Sequence, residues 1–81
     1  MENKDKFIHV CCNMVFGTTY NSVEDMPVEQ YEFFNNIPYV SLIKPLVQKD
    51  KAVRGMSVRA LAMKYGIHAQ TAFNLGKVYI Q

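Results

Sequence analysis

Between residues 57 and 79 the apolar positions recur with the period of a helix. Val58, Leu61, Ala62 and Tyr65 stand at i, i+3, i+4 and i+7, and Ala72, Leu75, Gly76 and Tyr79 repeat that spacing. Gly66 falls between the two stripes, where a chain leaves a helix easily through left-handed backbone. Ser57 stands just before the first stripe, and its hydroxyl can satisfy one of the amides a helix start leaves unpaired. The pattern predicts a helix over 58–65, a tight turn and a second helix, which together make a helix-turn-helix.

Upstream the pattern changes. In residues 7–16 the even positions Ile8, Val10, Cys12, Met14 and Phe16 are all apolar and the odd ones mixed, which favours a strand with its even face buried. A helical stripe of Phe7, Cys11, Met14 and Val15 is the alternative. The strand would pair with 18–23 across Gly17 as a hairpin, or with the same strand of a second chain. Pro27 then suits the first turn of a helix carrying Val28, Tyr31 and Phe34, with Glu29 near its positive end, and Asn35, Asn36 and Pro38 stop it. Tyr31, Phe33 and Phe34 read as core or dimer contacts rather than ligand contacts. Tyr39, Leu42 and Ile43 face one way. Pro45 predicts a break near Lys44 and a new helix over 45–54, with Leu46, Val47 and Val53 inward and Gly55 as its C-cap.

These elements predict a mainly α fold. Residues 37–81 would form a trihelical helix-turn-helix core. Residues 1–36 would form an N-terminal extension, with a short β-strand or hairpin plus one helix, serving as a dimerisation or partner-binding arm. A chain of 81 residues makes one small domain. It buries only roughly 60% of its unfolded surface, which makes dimerisation a natural expectation.

Charge sharpens this division. Up to Ile43 there are two basic and six acidic residues, net −4; from Lys44 onward there are seven basic and one acidic, net +6. The basic part carries the helix-turn-helix, and basic surface around such a motif suits phosphate binding. Cys11 and Cys12 are adjacent and point apart, so no internal disulfide and a reducing, cytoplasmic setting are expected. No apolar run approaches the roughly 20 residues of a membrane span. Residues 1–10 have mixed charge and lack the long apolar stretch of a signal peptide. His9, Cys11, Cys12 and His68 lack metal-ligand spacing, and no phosphate loop, nucleophile elbow or paired-carboxylate pattern is present. No metal, cofactor or enzymatic activity is expected.

In a helix-turn-helix the last helix enters the major groove of double-stranded DNA. With Ala72, Leu75, Gly76 and Tyr79 inward, its outward set is Ala69, Gln70, Phe73, Asn74 and Lys77. Gln70 and Asn74, four residues apart, share a face, and each amide can grip adenine N6 and N7. Lys77 suits a guanine edge or a phosphate. With no arginine on this helix, an A·T-containing site is expected. Phe73 is read as covered by the N-terminal segment, with contact to a thymine methyl the alternative. His68 either caps the helix, contacts a phosphate or simply fills the turn. Ser57, Arg59, Lys64 and Thr71 are the candidate phosphate contacts, which raise affinity without reading sequence.

The run Met56-Ser57-Val58-Arg59-Ala60-Leu61-Ala62, followed by Lys64-Tyr65-Gly66-Ile67 and Gln70-Thr71-Ala72, resembles the core of GntR-type winged-helix repressors. Their motif runs roughly L-P-S-x-R-x-L-A, then G-V, then T-V. Residues 38–43 resemble that family's opening P-x-Y-x-x-I. The resemblance implies backbone or groove contacts for Ser57 and Arg59 and base reading by the last helix, which would place those roles on Ser57, Arg59, Gln70, Thr71 and Asn74. Met56 replaces the proline of the signature, and Gln81 falls about where a β-wing would begin. The expectation is therefore a stripped core without a C-terminal wing or effector domain. A small sequence-specific transcriptional regulator, a homodimeric repressor from a phage or other mobile element, fits this reading. The alternative is a protein-interaction module, such as a small phage-type inhibitor, that uses the same scaffold with Phe73 and the N-terminal aromatics.

Overall fold

A computed structural model describes residues 2–77 of the chain. It is mainly helical. The described residues form helices α1 (Glu2–Phe16), α2 (Val28–Asn35), α3 (Tyr39–Arg54), α4 (Val58–Tyr65) and α5 (Ala69–Leu75), one 3-10 turn at Val23–Asp25, and no strand. They divide into two units, Met1–Ile43 and Lys44–Gln81, and α3 runs through the division. The acidic and basic halves of the sequence meet at this same point. Among the described residues no helix is long and apolar enough to cross a membrane.

In the first unit the expected strand over 7–16 is replaced by α1. Ile8 and Cys12 belong to both a period-two and an i, i+4 pattern, so they fit either element. The helix buries Ile8, Cys11 and Cys12, while Val10, Met14 and Phe16 from the supposed buried strand face stay exposed. The physical reason is hydrogen bonding. A helix pairs its backbone within itself, whereas a lone strand needs a partner. The segment 18–23 supplies no partner strand, so the hairpin is absent too. It is tied down by Asn13 of α1 instead. The Asn13 amide accepts from Thr18 Oγ1 (2.7 Å) and Tyr20 N (3.0 Å), and donates to the Tyr20 carbonyl (2.8 Å). Gly17, at φ +70°, turns the chain off α1 and donates to the Asn13 carbonyl at 2.9 Å.

Helix α2 begins after Pro27 and buries Phe34, against whose ring Phe33 (5.2 Å) and Phe16 (5.7 Å) pack edge-on. Of the aromatics read as core or dimer contacts, Phe34 lies in the core, while Phe33 remains 61% exposed. Both cysteines are buried and free. Burial, and then the neighbouring Cys12, pushes the Cys11 thiol up, away from the thiolate a nucleophile requires.

Helix α3 does not break at Pro45. An interior proline removes one backbone hydrogen bond and costs roughly 3 kcal/mol. Leu42, Ile43, Leu46 and Val47, all buried, lie along one stripe on either side of it. Each contributes roughly 1.5–3 kcal/mol, so keeping them in register outweighs that cost. Val53, expected inward, is 73% exposed. The inward position one turn earlier belongs to Asp50, and the helix stops at Arg54, with Gly55 following as predicted.

The second unit also holds α4 and α5. Helix α4 starts and ends where the sequence predicts. Ser57 Oγ accepts from Ala60 N at 3.1 Å, and Gly66 at φ +66° closes the other end. The stripe on α4 buries Leu61 and Tyr65, and that on α5 buries Ala72, Leu75 and Gly76. Tyr79, the last position of the second stripe, lies outside the described residues.

Candidate nucleic-acid interface

Two polar residues of α3 fasten α4 and α5 in the second unit. Asp50, buried, receives Tyr65 Oη at 2.6 Å and Lys64 Nζ at 2.7 Å, with Arg54 Nε at 3.8 Å. Burial alone would raise the Asp50 pKa. Hydrogen bonds from Lys64 and Tyr65, with the charges of Lys64 and Arg54, outweigh that and hold it below the usual carboxylate value. Gln48 Nε2 donates to the carbonyls of Leu75 (3.3 Å) and Lys77 (3.5 Å), acceptors that the end of α5 leaves unpaired. The turn between α4 and α5 is three residues long, and Ile67 N closes it on the Ala62 carbonyl at 3.0 Å.

The buried stripe of α5 fixes its other face. Gln70, Phe73, Asn74 and Lys77 stand at i, i+3, i+4 and i+7, and all four are exposed. Gln70 Nε2 donates to Asn74 Oδ1 at 3.3 Å, so the two amides form one unit. That bond leaves Gln70 Oε1 and Asn74 Nδ2, an acceptor and a donor, on two exposed side chains. Phe73 is 43% exposed rather than covered, with Lys77 Nζ 4.9 Å and Lys51 Nζ 5.9 Å from its ring centre.

The remaining predicted residues fall around this stripe. His68 is the N-cap of α5, its Nδ1 accepting from Gln70 N at 3.1 Å, which leaves the Nε2 proton outward. Thr71 is half-buried at the start of α5. Ser57 and Arg59 are exposed at the start of α4. The Ser57 hydroxyl accepts a capping bond through its oxygen and keeps its proton to donate. Lys64 is drawn to Asp50, so its charge is largely neutralised within the fold. Among the described residues no hydrogen bond or ion pair joins the Ser57 and Arg59 group to the α5 stripe.

Lys51 is the residue that sequence reasoning missed. It lies on α3, some twenty positions before the helix it serves, and no local pattern could have joined it to Phe73. Its stem passes Gly76 so closely that a Cβ there would meet Lys51 Cδ at 3.0 Å. Gln48, Lys51, Ala52, Gly76 and Lys77 line an open groove beside the stripe. Asp50 is the unit's only acid, so Lys44, Lys49, Lys51, Arg59 and Lys77, all exposed, have no carboxylate of the unit left to pair with.

No cluster of three or more His, Cys, Asp or Glu among the described residues could hold a metal ion. Comparison of the chain with protein families, with curated proteins and with solved structures finds no match.

Proposed function

We propose that the chain is a small sequence-specific DNA-binding protein, a transcriptional regulator whose α5 lies in the major groove. In this reading α3, α4 and α5 are the trihelical core, residues 1–36 are its extension, and a homodimer sets two α5 helices about one DNA turn apart. The observation that carries it is the outward stripe Gln70, Phe73, Asn74 and Lys77, set on a unit of net charge +6. The amide pair offers an acceptor and a donor side by side, the complement of adenine N6 and N7. Arg59, the Ser57 hydroxyl, His68 Nε2 and Lys77 supply phosphate donors around it. The likeness of residues 56–72 to GntR-type cores assigns Ser57 and Arg59 the same task.

The test is a salt-titrated binding assay on random-sequence duplex DNA. For about four phosphate contacts, affinity should fall about a hundredfold between 50 and 200 mM salt. Absence of binding at low salt would sink the reading. In a companion assay on a selected duplex, Gln70→Ala with Asn74→Ala should lose discrimination at the adenine positions these amides read while keeping non-specific affinity.

A second reading has its own observation. In the first unit, Phe16, Phe33 and Val28 are each more than half exposed, and Phe16 and Phe33 line a shallow groove with Phe34, Glu29 and Gln30. An apolar patch with an acidic rim suits a basic protein partner. A protein-interaction module would use this surface, and loss of Phe33 would then abolish function without touching DNA binding.

A further inference from the structure

An aromatic ring on the outward face of a polar helix is costly in water unless something else uses it. Phe73 is neither buried nor free. Lys77 and Lys51 bring their ammonium groups to 4.9 and 5.9 Å from its ring centre, one from the end of α5 and one from α3. The ring is thereby held at the surface, between Gln70 and Asn74 along the stripe, with cations on hand for the phosphates that flank a groove. In the major groove an A·T pair presents adenine N7 and N6, then thymine O4 and the thymine 5-methyl. The Gln70 and Asn74 amides match the adenine end of that edge. An apolar group beside them matches the methyl end, and Phe73 is the one apolar side chain among the stripe's four.

We infer that Phe73 is a specificity-determining residue that reads the thymine 5-methyl group of an A·T pair, with Lys51 and Lys77 holding its ring and contacting the adjacent phosphates. This rests on the DNA-binding reading and gives Phe73, within that stripe, a role and a chemical group to read. Uracil differs from thymine only in lacking that methyl, so the test is direct. The full chain is titrated against two 24-bp duplexes, one of alternating dA and dT and one with every dT replaced by dU, at 50 mM salt.

Burying one methyl group is worth about a fourfold change in affinity, so the wild-type chain should bind the thymine duplex at least about fourfold more tightly. Phe73→Ala should bring the two affinities together, the thymine duplex losing more than the uracil duplex. Phe73→Leu, which keeps an apolar group, should retain part of the preference. Circular dichroism on both variants shows whether the helices persist. Equal wild-type affinity for the two duplexes overturns the inference and leaves DNA binding standing. A thymine preference that survives in Phe73→Ala overturns it too, because the methyl is then read elsewhere and the exposed ring falls to a protein partner. Binding to neither duplex removes both readings.

Discussion

The two units of this chain solve the same problem with opposite chemistry. In the first unit, an acidic one, the polar anchor is the neutral amide of Asn13, which fastens the loop after α1 with three hydrogen bonds. In the second, a basic one, it is the single carboxylate Asp50, buried beneath Lys64, Tyr65 and Arg54. The difference lies in what each leaves at the surface. The first unit exposes aromatic and aliphatic side chains. The second, which also exposes Val53 and Met63, uses its only acid internally and leaves five exposed cations without a carboxylate of their own unit, beside the outward stripe on α5. With that acid turned inward, every charged side chain left at the surface of the second unit is a cation.

Removing the two anchors should break this comparison most clearly. Asp50→Ala leaves the buried Tyr65 hydroxyl without an acceptor and Lys64 without its counter-charge. We expect a loss of about 3 kcal/mol, less than a fully buried pair because Lys64 keeps a third of its side chain in water. Asn13→Ala removes partly exposed neutral bonds that water can replace, and should cost about 1–2 kcal/mol. Hydrogen exchange read separately on amides of α4 and of α1 measures each loss where it occurs. Equal losses would mean that the carboxylate is no stronger an anchor than the amide.

Acid should separate the units further. The Asp50 pKa is lowered in the folded state, so the stability it supplies is present above the ordinary carboxylate value of 3.8 and disappears as pH falls through the lower folded value. Protection of α4 and α5 should fall between pH 4 and the acid limit in the wild type. In Asp50→Asn that stretch of the profile should be flatter. A profile that keeps its shape in the variant would assign the acid sensitivity to other carboxylates.

What the sequence discloses differs between the units for a related reason. In α4, the stripe, the Ser57 cap and the Gly66 stop all lie within ten residues and agree, so the helix was legible to its ends. The outward face of α5 followed from its buried stripe by the same local arithmetic. In 7–16, Ile8 and Cys12 satisfied two periods at once, and the choice depended on whether a partner strand existed elsewhere. Pro45 is a local stop signal that apolar burial on both of its flanks overrode. Asp50 looked like a lone acid among bases, because its partners Lys64 and Tyr65 stand 14 and 15 positions away. Lys51 over Phe73 was hidden for the same reason. Contacts between helices carry no local period.

The finest comparison is between two glycines within the second unit, one required by backbone and one by space. Gly66 sits at φ +66°, where an L side chain is strained, so Gly66→Ala should cost about 1 kcal/mol in urea unfolding. Gly76 has ordinary helical backbone at φ −78°, and a Cβ there would meet the Lys51 stem at 3.0 Å, with the Ala72 carbonyl at an ordinary contact distance of 3.4 Å. That stem is flexible and solvent-exposed, so Gly76→Ala should change stability by less than about 0.5 kcal/mol. Its effect should fall on position instead, pushing the Lys51 ammonium off the Phe73 ring. Measured by the distance-sensitive chemical shifts of the Phe73 ring protons, Gly76→Ala should move them while Gly66→Ala should not. The opposite pattern, a large stability loss at Gly76 with unmoved ring shifts, would mean that Lys51 is fixed there by packing rather than resting beside the ring.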